Sequence, residues 1–241
     1  MDASIYKTMD AVESYHWWFV SRAKIIRNLL KKTFKKRTNL KILDVGCGTG
    51  GNFKLLSEFG DITGVEPDRF AFEQAKSKKL SKTLINGDFI LCKELENKKF
   101  DLIVLTDVLE HIEKDELALS KIRNMLLPNG SLLITVPANM NLWSKHDTTH
   151  HHFRRYSFNE LKRKLLGANF KIEFLSYFNF YLFPIVFLGR KLKFNENKDD
   201  VDITNGIANN LFKFIFSLES YSISRRIKFP IGVSLITICK K

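Results

Sequence analysis

A glycine-rich turn that follows an apolar run constrains the fold of this chain more than any other feature. Residues 43–50 read LDVGCGTG, and a helix-compatible segment begins at Asn52. An apolar run, clustered glycines and a helical segment in this order predict a strand, a tight turn and a helix. Glycine is needed in such a turn because other residues resist its backbone angles and because a Cβ would keep a ligand away from the main chain. The segment therefore predicts a nucleotide-binding turn.

Two classes of cofactor fit this turn. Gly46, Gly48 and Gly51 satisfy the G-x-G-x-x-G pattern of dinucleotide-binding proteins. Asp44 favours another ligand, because a carboxylate repels a pyrophosphate but accepts hydrogen bonds from an amine. At these residues the chain resembles the class I S-adenosylmethionine-dependent methyltransferases. The resemblance implies that the methionine end of S-adenosylmethionine is held by Asp44, Gly46, Cys47, Gly48 and Gly50.

The next two predicted strands supply candidate contacts to the adenosine. The second strand ends at Glu66, followed by Pro67, and a doubly wound fold places at this distance from the turn the acid that binds the ribose hydroxyls. The third strand, Thr83 to Ile85, leads to Asp88 and Phe89. The resemblance implies that Asp88 accepts the adenine amino group and that Phe89 lies near the ring. An ordinary surface turn also explains the Asn-Gly-Asp sequence that contains Asp88.

The fourth predicted strand carries the second discriminating motif. Residues 100–106 form an apolar run suited to a strand buried on both faces, and the sequence DVLEH follows at 107–111. This motif is similar to the fourth motif of quinone-type and related bacterial small-molecule methyltransferases. The resemblance implies that the methyl-donor end of the site is lined by Thr106, Asp107, Val108 and His111. His111 is a candidate general base or a residue that orients a loop, because histidine titrates near neutrality.

A histidine-rich segment after the fifth strand is the candidate acceptor site. Residues 141–156 hold four of the six histidines, at the sheet edge where open α/β folds bind substrates. The segment looks like the Trp-Ser…Asp…His-x-Arg-Arg-Tyr sequence of a bacterial methyltransferase subgroup, with His151 where a glycine is expected. His152 is the first candidate for a base or substrate ligand. The further candidate substrate contacts are His146, Arg154, Arg155 and Tyr156, the last three for a phosphate or carboxylate.

The same segment raises the question of a metal site. Histidine and carboxylate clusters bind transition metals, and His146, Asp147, His150 and His152 lie close together in sequence. Their tight spacing lacks the second scaffold element that metal sites usually use. We therefore predict no metal here. A solvated loop leading to a helix capped by Ser157 is the structural alternative for the Arg-Arg-Tyr part.

Residues 1–40 predict a helical lid over the cofactor. Apolar residues at helical spacing predict an amphipathic helix from Val20 to Phe34, preceded by two adjacent tryptophans. The resemblance implies that this helix covers the site and that Arg22 pairs with the methionine carboxylate. Two adjacent tryptophans cannot point the same way on a helix, so we expect one of them at a pocket mouth or partly exposed, and Trp17 is a candidate substrate contact. Packing of the aromatic side chains on the sheet is the alternative.

The remaining strands complete a class I methyltransferase fold. Strands alternate with helices as in a parallel, doubly wound sheet, and apolar runs at 170–177 and 232–239 predict a sixth and a seventh strand. The resemblance implies a Rossmann-like α/β fold of seven strands, with the seventh antiparallel between the fifth and sixth. The predicted organisation is a lid at 1–40 and a methyltransferase domain at 41–241. An insertion at 178–230, aromatic and flanked by basic residues, predicts an interfacial membrane contact, a dimer interface or a lid core.

The net charge of +13 is distributed unevenly along the chain. Residues 1–40 carry +6, residues 41–144 carry −2 and residues 145–241 carry +9. The basic flanks favour an anionic partner, which is a phosphorylated substrate, a lipid surface or a nucleic acid. The alternative is that the lysines only form a solvated surface.

Three separated cysteines suggest neither disulfides nor zinc. Residues 1–13 contain no apolar core of signal-peptide type. This feature and the isolated cysteines favour a cytoplasmic location, with contact to the inner membrane face as an option.

These observations predict an S-adenosylmethionine-dependent methyltransferase that releases S-adenosylhomocysteine. We expect O-methylation of a small or lipid-linked metabolite, with an anionic acceptor as one option. An RNA methyltransferase is the enzymatic alternative, although an Asn-Pro-Pro-Tyr base-flipping signature is missing from the sequence. A catalytically silent S-adenosylmethionine-binding module is the non-enzymatic alternative.

Overall fold

The computed structural model describes residues 3–35, 37–191 and 206–241, and within them seven strands form one sheet. The strands are β1 Leu40–Val45, β2 Gly60–Glu66, β3 Thr83–Asn86, β4 Phe100–Thr106, β5 Leu126–Pro137, β6 Lys171–Phe178 and β7 Ser234–Lys240. The helices of four or more residues in these ranges are α1 Ala3–Val12, α2 Trp17–Phe34, α3 Phe53–Leu56, α4 Arg69–Ser77, α5 Asp115–Met125, α6 Lys145–Thr149, α7 Phe158–Gly167, α8 Phe183–Lys191 and α9 Gly206–Ser224.

The strand order is β3-β2-β1-β4-β5-β7-β6. Strands β1 to β5 pair in parallel, and β7 pairs antiparallel with both β5 and β6. The central strands are apolar on both faces because helices cover both sides of a parallel sheet, and Leu102 to Leu105 are fully buried. The predicted fold class and the position of the seventh strand are confirmed.

The register of the parallel strands brings their carboxyl ends to one edge of the sheet. Val45 at the end of β1 pairs with Val65 and with Leu105, and Thr106 at the end of β4 pairs with Thr135. Open α/β sheets bind ligands at this edge, where the strand order reverses. The predicted cofactor motifs follow β1, β2, β3 and β4, so the fold collects them there.

Two local features differ from the sequence prediction. The sequence LPNG at 127–130 predicts a turn before the fifth strand, but β5 already begins at Leu126, and its pairing with β4 shifts register between Phe100 and Leu102. Residues 127–130 are extra residues on the β5 side of this pairing. Strand β5 therefore pairs with β4 both before and after the turn. Helix α1 was not predicted, and α2 begins three residues earlier than expected, at Trp17, where the His16 side chain accepts a hydrogen bond from the amide of Trp18.

The insertion contributes α8 and α9, and its polar stretch at 195–205, which the sequence predicts to be a loop, lies outside the described residues. Helix α9 packs along α2. The backbone amide of Trp17 donates to Asn209 Oδ1 at 2.7 Å, and Asn28 donates to Ser220 Oγ at 2.7 Å. Trp18 stacks on Phe216, so the two segments share one aromatic core. Across the described ranges, every helix is too short or too polar to cross a membrane.

Candidate active site

A cavity of about 1320 Å³ opens at the carboxyl edge of the parallel strands. Single small-molecule sites usually measure about 300–1000 Å³, so this cavity has room for a cofactor and an acceptor together. One end is formed by the glycine turn and the end of β2, and the other by histidines. Of the predicted site residues, the cavity is lined by Trp17, Arg22, Gly46, Cys47, Gly48, Glu66, Pro67, Asp88, Phe89, Thr106, Asp107, Val108, His111, His146, His152 and Arg155.

The glycine turn leaves open space in which a ligand could contact the protein main chain. Gly46 and Gly48 have φ values of +61° and +55°, which glycine adopts with little cost. A Cβ built on Gly48 would meet no atom within 4 Å, whereas one on Gly46 would come within 2.8 Å of Val108. Gly46 therefore allows packing against the end of β4, and Gly48 faces the open cradle that the cofactor would fill.

Glu66 connects the turn to the end of β2 and to the N-terminal helix. Its Oε2 accepts the amide of Gly48 at 2.8 Å, and its Oε1 accepts the amide of Asp68 at 3.0 Å and the hydroxyl of Tyr6 at 3.3 Å. Burial raises the pKa of this carboxyl, although the hydrogen bonds from Asp68, Gly48 and Tyr6 oppose the shift. Tyr6 was not identified from the sequence, because a tyrosine in a short polar segment carries no motif.

The predicted adenine contacts lie on the same wall. Asp88 Oδ1 accepts the amides of Ile90 and Leu91 at 2.7 and 3.2 Å, which forms the turn after β3. Phe89 is buried, and the Lys121 ammonium lies 5.0 Å from its ring centroid. Both Asp88 and Phe89 line the cavity. The residues that form this turn are therefore also placed where they could contact the adenine.

Asp107 is held in a sparsely populated backbone conformation at the centre of the cavity. Its φ is +56°, its amide donates to the carbonyl of Thr135 at 3.0 Å, and Thr135 Oγ1 donates to its Oδ1 at 2.9 Å. Arg22 of α2 forms an ion pair with Oδ2. Strained backbone of this kind is retained where the surroundings fix it, commonly at functional sites. Arg22 also lines the cavity, and its pairing with the methionine carboxylate stays a prediction.

Four histidines form the wall beyond Asp107. The ring centroids of His111 and His152 lie 4.6 Å apart, and those of His146 and His150 lie 3.9 Å apart. All four line the cavity. Burial lowers the pKa of His111 to about 3 and lowers that of His150 as well. His111 and His150 are therefore neutral near pH 7, and a neutral imidazole carries a lone pair that can bind a metal cation, whereas a lowered pKa makes it a weak proton acceptor.

Asp147 fixes the orientation of His152. Its Oδ1 lies 2.9 Å from His152 Nδ1 and accepts Arg155 Nε at 2.7 Å, and its Oδ2 accepts the amide of Ser144 at 2.9 Å. Burial favours the neutral acid, but His152 and Arg155 together hold the pKa of Asp147 well below its usual range. An ionised Asp147 makes Nδ1 of His152 the donor, so the lone pair of the neutral imidazole is on Nε2.

Glu110 is a site residue that the sequence reasoning missed. It lines the cavity and is fully buried, and neither carboxylate oxygen has a hydrogen-bond partner among the described residues. Burial and the neighbouring Asp107 raise its pKa well above the usual range. The DVLEH motif contained this glutamate, but a sequence does not show whether an acid after a strand faces solvent or the interior.

Four predicted site residues do not line the cavity. Asp44 is fully buried, and neither of its carboxylate oxygens has a hydrogen-bond partner among the described residues, so its role at the methionine end stays a prediction. A Cβ on Gly50 would come within 2.9 Å of Phe53, so this glycine also allows packing. Arg154 pairs with Asp115 at 2.8 Å and lies outside the cavity. The hydroxyl of the buried Tyr156 donates to Asp115 at 2.8 Å. Arg154 and Tyr156 therefore anchor their loop to α5. Their anionic partner is Asp115, where the sequence predicts a phosphate or carboxylate of the substrate.

The chain matches a known family over most of its length. A family profile described as "Methyltransferase domain" covers residues 19–174, which is more than half of the chain. The chain belongs to this methyltransferase domain family. The matched segment contains the glycine turn, the DVLEH motif and the histidine wall. The predicted methyltransferase family and its cofactor class are thereby confirmed.

Curated relatives of this methyltransferase domain act on different atoms. The rat mitochondrial ubiquinone biosynthesis O-methyltransferase is 27% identical over 163 residues, which cover 56% of this chain and 46% of the relative. Phosphoethanolamine N-methyltransferase 2 of Caenorhabditis elegans is 27% identical, covering 54% and 32%. The mouse thiol S-methyltransferase is 30% identical, covering 39% and 41%. The chain spans less than half the length of each of these relatives.

Solved structures show the same fold. The plantazolicin methyltransferase BpumL, in complex with a monoazolic desmethylPZN analog and S-adenosylhomocysteine, has a TM-score of 0.63 and 17% identity, covering 99% of this chain and 88% of that one. The [4+2]-cyclase SpnF has a TM-score of 0.59 and 17% identity, covering 90% and 80%. A cyclase among the neighbours means that the fold alone does not specify the reaction.

Proposed function

We propose that the chain transfers the methyl group of S-adenosylmethionine to a hydroxyl of a small or lipid-linked acceptor. The observation that carries this proposal is the single cavity of about 1320 Å³, which joins the glycine cradle to the histidine wall. When bound, S-adenosylmethionine supplies an electrophilic methyl group. Gly48 and Glu66 would hold the cofactor, and Asp88 with Phe89 would bind its adenine.

The chain's own contribution to the reaction is alignment, exclusion of water and proton acceptance. Methyl transfer depends strongly on alignment of the reacting groups. Helices α1 and α2 cover the cavity, with Tyr6 on Glu66 and Arg22 on Asp107. Nε2 of His152, oriented through Asp147, would accept the proton of an acceptor hydroxyl. A base at this position favours oxygen over sulfur as the acceptor atom, because a thiol ionises more readily than a hydroxyl and has less need of a base.

The insertion supports a lipid-linked acceptor presented at an anionic membrane surface. Exposed apolar residues of α9 recur at intervals of four and three, which places them on one helical face; they are Ile207, Leu211, Phe214, Leu218 and Tyr221. Helix α9 and the four residues that follow it contain four basic residues, Lys213, Arg225, Arg226 and Lys228, and one acidic residue, Glu219. Apolar side chains with adjacent basic charge are what an interfacial helix needs.

A labelling experiment tests the proposal. The purified chain would be incubated with S-adenosylmethionine labelled in its methyl group and with separate lipid, metabolite and RNA fractions. We expect label in the lipid or metabolite fraction. Label confined to RNA would favour the RNA methyltransferase instead, and cofactor binding without label in any fraction would favour a silent binding module.

A further inference from the structure

We propose that Glu110, His111 and His152 form a binding site for one divalent transition-metal ion of the Zn²⁺ type. One ligand atom from each residue lies within 4.8 Å of the other two. Donor atoms of a tetrahedral zinc site are about 3.4 Å apart, so side-chain rotations that bring these atoms closer by up to about 1.5 Å would place them at coordination distance. The residues come from two separate elements, the turn after β4 and the loop after α6, which supplies the second scaffold element that sequence spacing alone did not show.

The unpartnered carboxylate of Glu110 is the first observation that requires a ligand. Both of its oxygens are buried, and neither has a hydrogen-bond partner in the described parts of the chain. An acid in this position is costly unless it stays protonated or meets a cation. Its side chain lines the cavity beside two imidazoles, which themselves bind divalent ions such as zinc.

The contact between His152 and Asp147 is the second observation, and it is independent of Glu110. Histidines that bind metals commonly donate their other ring nitrogen to a carboxylate, which fixes the tautomer and the ring orientation. Asp147 accepts from Nδ1 of His152 at 2.9 Å and is itself held by Arg155 at 2.7 Å. With Nδ1 bound to Asp147, Nε2 is the ring nitrogen of His152 that is left for a metal ion.

The ligand set indicates what the ion would do. Two histidines and one glutamate are a set found in catalytic zinc sites, where the fourth position stays open to water or substrate. In this site the fourth position would face the cavity. This role, unlike the binding site itself, rests on the proposed function: an acceptor hydroxyl bound to the ion would release its proton to water more readily, so the ion would replace Nε2 of His152 as the activating group.

Direct binding of Zn²⁺ to the full chain, without cofactor and after removal of any affinity tag, tests the site. We expect one Zn²⁺ per chain by elemental analysis after desalting. Titration calorimetry should show affinity at least ten times lower in Glu110→Gln and in His152→Ala. Asp147→Asn keeps all three ligands and should lower the affinity about tenfold, as loss of an orienting partner does.

His151→Asn is the matched control, because His151 is an exposed histidine of the same loop and asparagine tolerates its φ of +57°. This variant should bind Zn²⁺ as the unmodified chain does. Circular dichroism of each metal-free variant verifies that it is folded. Uptake well below one ion per chain, or unchanged affinity in a folded Glu110→Gln variant, would overturn the proposal. Failure of methyl transfer would leave this binding result intact, so the two proposals fail separately.

Discussion

Gly48 is the residue whose backbone most directly connects the sequence motif to ligand binding. Its amide donates to Glu66, and its missing side chain leaves open space. Gly48→Ala should therefore weaken S-adenosylmethionine binding by at least about tenfold, because the new methyl enters the cradle, while the positive φ costs about 1–2 kcal/mol of stability. Calorimetry and urea unfolding measure the two effects. Gly167→Ala, at a glycine with equal free space but no positive φ, is the control and should bind normally.

Glu66 carries a second prediction at this scale. Glu66→Ala removes the acceptor of the Gly48 amide and the predicted partner of the ribose hydroxyls. We expect cofactor binding to weaken by about 1–3 kcal/mol, the cost of leaving such groups unpaired. Calorimetric titration with S-adenosylmethionine measures the change, and an unchanged affinity would exclude the ribose role.

His152 is expected to act on the acceptor and not on the cofactor. His152→Ala should lower turnover about 100-fold or more, the usual contribution of a positioned base, with little change in S-adenosylmethionine affinity. Turnover on the labelled acceptor and cofactor affinity are measured on the same preparation. Equal turnover in a folded variant would remove His152 from the mechanism.

The loop that carries the histidines depends on its attachment to helix α5. Asp115 accepts hydrogen bonds from Tyr156 and Lys164 at 2.8 Å and pairs with Arg154. Burial alone would raise the pKa of Asp115, but these partners hold it below its ordinary value. A lowered pKa means that Asp115 stabilises the fold above its unfolded pKa of about 3.9 and loses this contribution as the pH falls through the folded value.

Asp115→Asn should therefore destabilise the chain at pH 7, and the difference from the unmodified chain should shrink at pH 3. Urea unfolding at both pH values measures it. Tyr156→Phe should cost about 1.5–3 kcal/mol at pH 7, the range for a hydrogen bond to a charged group. A difference for Asp115→Asn that grows on acidification would contradict the proposed anchoring.

Helix α9 carries the prediction about membranes. Phe214→Glu combined with Leu218→Glu places two charges on its exposed apolar face and should reduce sedimentation with vesicles rich in anionic lipid. Leu166→Glu, at an exposed leucine of α7, is the matched control and should sediment as the unmodified chain does. Equal sedimentation of all variants, or none for the unmodified chain, would assign the face to another partner.

The elements differ in how far the sequence predicted them. Strands β1 and β4 were recognised because buried parallel strands are continuous apolar runs, and the glycine turn marks the end of β1. Helix α1 was missed because its sequence carries no capping signal, and its position depends on contacts distant in sequence, such as Glu13 with Lys78 and with Thr49. Local patterns do not reveal such pairs.

At the scale of the whole molecule, the cofactor end of the cavity was predictable and the acceptor end was not. Each cofactor motif lies directly after a strand, so the fold alone determines its position. The histidine loop is long, and whether its side chains face the cavity or the interior depends on partners in other elements. Arg154 pairs with Asp115 and Tyr156 donates a hydrogen bond to it, whereas His152 and Glu110 line the cavity.

The transfer of labelled methyl groups tests the central claim most directly. The unmodified chain and Gly48→Ala would be incubated with methyl-labelled S-adenosylmethionine and a lipid and metabolite extract, with Gly167→Ala as control. We predict a labelled lipid or small molecule with the unmodified chain and the control, and strongly reduced label with Gly48→Ala. Binding of S-adenosylmethionine by the unmodified chain with no labelled product in any fraction would contradict the claim.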